Sequence, residues 1–153
     1  MAQPTVSPAS EDQFAALSQA LEAIGDRWSL LVTAALLDGP ARFGDVQEAV
    51  RGIAPNILSQ RLRRLEERGL VVAQPYSARP PRYLYELTET GRGLAGALRL
   101  LAGWGARHGV DGTSDAPRHS ACGTPLEARW HCPVCRETVG EPGDDVEPDL
   151  YYA

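Results

Sequence analysis

The sequence predicts a mainly α-helical chain with a small β-wing, the layout of a winged helix-turn-helix, and three observations support this. First, in residues 53–69, Leu58, Leu62 and Leu65 recur at helical spacing and line one face. Second, the apolar runs Leu70–Ala73 and Tyr83–Leu87 have the length and residue types of short strands. Third, the stretch between those runs, Ser77–Arg82, contains two prolines. Prolines remove ladder donors, so this stretch is expected to form a stiff tip rather than continue the strands, with Arg79 and Arg82 beside it.

Taken in order, residues 1–10 are polar and Pro/Ser-containing, the composition of a disordered terminus. From Glu11 to Gly25, Phe14, Leu17, Leu21 and Ile24 fall at helical spacing, and Gly25 ends that helix. Asp26 is placed to cap a second helix containing Trp28, Leu30, Leu31, Ala34 and Leu37. Asp38-Gly39-Pro40 stops it, and Ala41–Phe43 suits a short strand added to the wing. Gly44–Val50 is then a short helix and Arg51–Ala54 the turn into the leucine-lined helix. Pro55 is tolerated in a first turn, where its missing N–H would be unpaired anyway, and Gly69 suits a left-handed stop. After the wing, Thr88-Glu89-Thr90 opens a long helix to about Arg107, with Leu94, Leu98, Leu101 and Trp104 as its stripe. The domain boundaries expected are therefore 11–109 for the winged helix, 110–139 for a Cys/His extension and 140–153 for an acidic, Pro/Gly-rich flexible tail.

At ~100° per residue, the face opposite the three leucines carries Asn56, Ser59, Gln60 and Arg63, with Arg64 at its margin. Amides, hydroxyls and guanidinia are the groups that read base edges and phosphates. An ordinary solvated helix face would carry the same residue types, and the neighbouring basic wing is what favours DNA. Asn56 and Gln60 are assigned to base edges, Arg63 to base or phosphate, Ser59 to phosphate, and Arg79 with Arg82 to backbone or minor-groove contacts. The overall charge of −5 does not oppose this, because the charge is divided along the chain. Residues 27–82 hold nine Arg against five acids, whereas residues 110–153 hold three Arg against nine. The local field governs encounter with a polyanion. All 15 basic residues are arginine.

No run is long and apolar enough to span a membrane, and the N-terminus lacks the basic and apolar regions of a secretion signal, so a cytosolic protein is expected. No Ser/His/Asp arrangement or phosphate loop is present, and His108, His119 and His131 cluster late in the chain, so an enzyme is not expected.

The runs IGDRWSLLV (24–32), LLDGPARFGDVQEAV (36–50), GIAPNILSQRLRRLEERGLV (52–71) and PPRYLYELTETGRGL (80–94) resemble the HxlR family of bacterial transcriptional regulators. The likeness covers roughly residues 14–108. It implies a homodimeric winged-helix protein binding a double-stranded DNA operator, with dimer contacts from the first and last helices. Many members of that family carry a cysteine thirteen residues before the Trp of the GDRW-like motif, and some sense oxidants. Here that position is Ala15, so the usual thiolate switch is absent.

Phe14, Leu17, Leu21, Trp28, Leu98, Leu101 and Trp104 are surplus to a winged-helix core. They suit a dimer core or, alternatively, a pocket for a small-molecule effector. The cysteines form a separate pattern: His119-x2-Cys122, a gap of nine, then Cys132-x2-Cys135. Two ligand pairs at this spacing suit a structural Zn²⁺ with His119, Cys122, Cys132 and Cys135 as ligands and His131 as a competing fourth. Leu126, Trp130 and Val139 are the expected apolar cover. The alternatives are a redox-responsive regulator using these thiols, or a protein-interaction module on a winged-helix scaffold.

Overall fold

A computed structural model describes residues 8–108, 118–119, 121–126 and 129–139 of the chain. The expectations for residues 1–7, most of the linker after His108 and the acidic tail lie outside the described residues. The chain divides into two compact units, Met1–Leu98 and Arg99–Ala153.

The first unit begins with α1 (Pro8–Ile24), three residues earlier than the spacing suggested. Proline suits a first turn, so residues 8–10 belong to the helix and not to a disordered terminus. Asp26 caps α2 (Arg27–Ala35), its Oδ1 accepting from the amides of Trp28 and Ser29 at 3.1 Å each. The buried face of α2 is partly polar. Ser29, Val32 and Thr33 are buried, Leu31 is 40% exposed, and Leu37 lies beyond the helix. Ser29 Oγ donates to Asp26 Oδ2 at 2.6 Å and Thr33 Oγ1 donates to the Ser29 carbonyl at 2.8 Å. Local hydrogen bonds thus let two hydroxyls sit on the buried face of α2.

β1 (Ala41–Arg42) is followed directly by α3 (Phe43–Ala49), so Phe43 opens the helix and does not extend the strand. The turn then leads into α4 (Pro55–Glu67), whose Leu58, Leu62 and Leu65 are buried as the spacing required. Gly69 closes α4 at φ +69°, donating its amide to the Glu66 carbonyl at 2.9 Å while Leu70 donates to Leu65. With Val32, Leu36, Val46, Val50, Val71 and Leu87, the three leucines form the hydrophobic core.

The wing is longer than expected. β2 (Val71–Ala78) and β3 (Pro81–Leu87) pair antiparallel, and the Ala78↔Pro81 and Ser77↔Arg82 pairs carry the ladder almost to the tip. The prolines do not stop it, because the sheet order is β1-β3-β2. Pro75 sits on an edge strand beside a register shift, and Pro81 is the first residue of β3, beyond the two residues that pair with β1. Neither site requires a ladder donor on both sides. The tip is only Arg79-Pro80, whose peptide bond is cis.

The expected long C-terminal helix is interrupted. Thr88 caps a short α5 (Glu89–Arg92), accepting from the Gly91 amide, and α6 (Ala95–His108) follows after Gly93-Leu94. At the break, the Leu94 amide bonds to the Gly91 carbonyl, three residues back. Three glycines within residues 91–96 weaken helical continuity there. The division between the two units falls inside α6. In the second unit, β4 (Trp130–His131) pairs antiparallel with β5 (Thr138–Val139).

Candidate nucleic-acid interface

Helix α4 is amphipathic by construction: its leucines are fixed in the core, so its other side must face solvent. Asn56, Ser59, Gln60 and Arg63 are all exposed. Ala54 provides no side-chain cap, which leaves the first-turn amides of α4 without a side-chain partner. Of the expected group, Ser59 and Arg64 are partly committed elsewhere. Ser59 Oγ donates to the Pro55 carbonyl at 2.9 Å, leaving its lone pairs, but not its proton, for an outside partner. Arg64 is half-buried and its Nη2 donates to the Glu22 carbonyl of α1 at 2.5 Å.

Arg61 has a role that helical periodicity did not reveal. Its Nε lies 2.9 Å from Asp26 Oδ1. The N–H is not aligned for a hydrogen bond, so the contact is an ion pair. Burial pushes the Asp26 carboxyl up, but the Ser29 hydroxyl and amide, the Arg61 guanidinium and the Trp28 amide together hold it below its ordinary value. Arg61 and Arg64 thereby fix α4 to the corner between α1 and α2. The acid at the N-cap is readable in the sequence, whereas its partner 35 residues later is not.

On the wing, Arg79 and Arg82 are both exposed. Between the wing and the β1–α3 junction, an open cleft of about 430 Å³ is lined by Arg42, Phe43, Gly44, Asp45, Tyr76, Pro81, Arg82, Tyr83 and Tyr85. Arg42 lies over the Tyr76 ring at 5.2 Å, a cation–π arrangement that holds a second arginine at this surface. Burial, with the Glu66 carboxylate and Tyr83, pushes the Tyr85 hydroxyl up, so it stays protonated. Arg42 was absent from the expected contacts because it lies outside both the helix face and the tip.

The residues expected at a dimer core or effector pocket belong to both units. In the first, Phe14, Leu17 and Leu21 of α1 are 68%, 54% and 52% exposed. Trp28 packs partly against the core, with Arg27 over its ring at 4.8 Å, and Leu98 is half-buried. In the second, Leu101 and Trp104 are exposed, and Trp104 stacks on His108 with ring centroids 5.1 Å apart.

The Cys/His residues of the second unit form two separate pairs. His119 Nδ1 lies 3.2 Å from Cys122 Sγ. Hydrogen bonds with the Thr124 hydroxyl and amide, and with His119, hold the Cys122 thiol below its ordinary value. Cys132 is lowered likewise by the amides of Cys135 and Val134 and by the Cys135 thiol. Among the described residues, no three His, Cys, Asp or Glu side chains are drawn together closely enough to hold a metal. Leu126 is 50% exposed and does not act as a cover. All three cysteines are free thiols.

Among the described residues, no helix is long and apolar enough to cross a membrane.

Comparison with known proteins converges on one group. A family model described as HxlR-like helix-turn-helix matches residues 23–112. An uncharacterized HTH-type transcriptional regulator of Mycobacterium tuberculosis is 37% identical over 134 residues, covering 86% of this chain and 84% of the relative. The HTH-type transcriptional regulator YtcD of Bacillus subtilis is 38% identical over 88 residues, 58% of this chain and 70% of the relative. Among solved structures, the redox regulator HypR in its oxidized form superposes with a TM-score of 0.56 at 31% identity, covering 60% of this chain and 94% of its own. A Pseudomonas aeruginosa protein described as a transcription factor reaches 0.65 at 32% identity, covering 88% of this chain and 92% of its own.

Proposed function

The chain belongs to the HxlR-like helix-turn-helix family and is a transcriptional regulator of that type, and we propose that it reads double-stranded DNA as a homodimer. The observation that carries this reading is the two-sided construction of α4. Three buried leucines fix its inner side, while Asn56, Gln60 and Arg63 stand free on the outer one. A helix held in this way enters the major groove with its polar side chains at base edges. Arg79, Arg82 and Arg42 on the wing then contact the flanking backbone, where they add affinity but no sequence preference. Ser59 and Arg64 are secondary contacts, since each already has an internal partner.

The exposed stripe of Phe14, Leu17 and Leu21 supports self-association, because three large apolar side chains on one helix are costly to leave in water. In a two-fold dimer, the two α4 helices address half-sites about one helical turn apart. HypR is a redox regulator. The only thiols available for such chemistry here are Cys122, Cys132 and Cys135, because Ala15 occupies the position of the family's first-helix cysteine.

An anisotropy titration on a duplex recovered by in vitro selection tests this reading. Two chains per duplex are expected. Arg63→Ala should lose about 1–3 kcal/mol on the selected sequence, and Arg82→Ala should weaken all sequences alike and lower the salt slope by about 1. Unchanged affinity of Arg63→Ala for the selected duplex would remove α4 as the reader. Dimers that bind no duplex would favour the protein-interaction reading.

A further inference from the structure

We propose that the second unit is a zinc site in which His119, Cys122, Cys132 and Cys135 are the ligands, supplied by two turns of the same backbone design. The equivalence of the two turns is the decisive observation. In the first, the His119 amide donates to the Thr124 carbonyl at 2.8 Å and the Gly123 amide donates back to the His119 carbonyl at 2.8 Å. In the second, the Cys132 amide donates to the Glu137 carbonyl and the Arg136 amide donates back to Cys132, both at 2.9 Å. Each turn is closed by an antiparallel bridge one residue before its start, Arg118↔Pro125 in one and His131↔Thr138 in the other. The fifth residue of each is left-handed, Gly123 at φ +70° and Arg136 at φ +62°. A long side chain rarely adopts that conformation, yet Arg136 takes it at the same place in its turn as Gly123 does in the other.

In this register His119 coincides with Cys132, and Cys122 with Cys135. Imidazole and thiolate are interchangeable as zinc ligands, whereas they are not interchangeable as halves of a disulfide. The pairing of His with Cys in one turn and Cys with Cys in the other is therefore what metal ligation requires. The register also selects the imidazole. His131 sits in the bridge before its turn, in the place of Arg118, so His119 is the fourth ligand. The ligand atoms of the first turn already lie together, His119 Nδ1 being 3.2 Å from Cys122 Sγ. The described side chains of residues 118–126 are all exposed, so this segment has no apolar core of its own to fix the loop. A metal bridging the two turns would close the nine residues between Cys122 and Cys132. On binding Zn²⁺ the three thiols release three protons, and three thiolates with one neutral imidazole leave the centre with a charge of −1.

The full-length protein, purified under reducing conditions, is assayed for zinc and then titrated with Co²⁺ after chelation. About one zinc per chain is expected, with a cobalt complex showing intense visible bands and a thiolate charge-transfer band. His119→Ala and Cys132→Ser should each lower cobalt affinity at least about tenfold, and His131→Ala should leave it unchanged. DNA binding by each variant shows that the first unit is folded, and the wild-type cobalt spectrum stands independently of any variant. Absence of both zinc and a cobalt spectrum in the wild type overturns the proposal. So does a Cys132–Cys135 disulfide that forms equally fast with and without zinc, which would assign these residues to redox chemistry. Loss of the cobalt spectrum in His131→Ala but not in His119→Ala would overturn the ligand assignment.

Discussion

The winged-helix unit and the Cys/His unit obtain order in opposite ways. In the first, side chains decide: Leu58, Leu62, Leu65, Val32 and Val46 are fully enclosed, and the backbone elements follow from where those side chains must go. In the second, backbone hydrogen bonds and left-handed residues define two turns, while Leu126 and Val134 remain 50% and 90% exposed. A core tolerates an awkward turn because it is stabilised by apolar area, whereas turns without a core need a covalent or coordinate tie. Chemistry follows the same division. The first unit presents side chains outward from a rigid base, and the second holds its Cys and His side chains in two turns as separate pairs.

The most severe test of the contrast is Leu62→Ala. Truncating a buried leucine in this unit should cost about 2–5 kcal/mol, read as a lowered urea midpoint of the helical signal. A loss under about 1 kcal/mol would mean that the core is not what holds α4. A smaller effect is expected from Asp26→Ala, which removes the cap of α2 and the partner of Arg61, at about 0.5–2 kcal/mol. The acid is depressed in the folded state, so its contribution is complete above its ordinary value of 3.8 and is lost as pH falls through the folded value. The stability gap between wild type and Asp26→Ala should therefore narrow on acidification below 3.8, measured by paired thermal melts. A gap that widens there would reverse the assignment. The smallest effect belongs to the second unit. Arg136→Gly relieves a left-handed side chain but frees the unfolded chain, for a net gain of at most about 1 kcal/mol. Slower amide exchange at position 136 would sharpen the contrast, and faster exchange would show that the arginine side chain contributes more than its backbone strain.

The leucine register of α4, the Asp26 cap and the left-handed stop at Gly69 were all legible in the sequence, because each depends on residues within a few positions. What was not legible depended on distance or on context. Ser29 and Thr33 were missed as buried residues because periodicity counts only apolar groups, and their local hydrogen bonds do not appear in it. Pro80 and Pro81 were taken as strand breakers, but sheet order, which the sequence does not state, put Pro81 at a strand start, and Pro75 is tolerated on an edge. Arg64 was placed at the margin of the reading face and Arg61 was given no role, since nothing local marks Glu22 and Asp26 as their partners. Of the candidate interface, the outer face of α4 and the two wing arginines were identified from sequence, and Arg42 was not. Both Cys/His pairs of the second unit were evident from spacing, whereas the equivalence of their backbones emerged only in three dimensions.

The attachments of Arg61 and Arg64 also have a mechanical consequence. Both leave the same flank of α4, three residues apart, and both end at the corner where α1 meets α2. With its side chains a helix is a cylinder of roughly 5–6 Å radius. If the two guanidinia follow it, a tangential displacement of ~1 Å at that corner turns the cylinder by roughly 10° and sweeps Gln60 and Arg63 through a comparable arc. The corner between α1 and α2 therefore helps to set the angle at which the outer face of α4 is held.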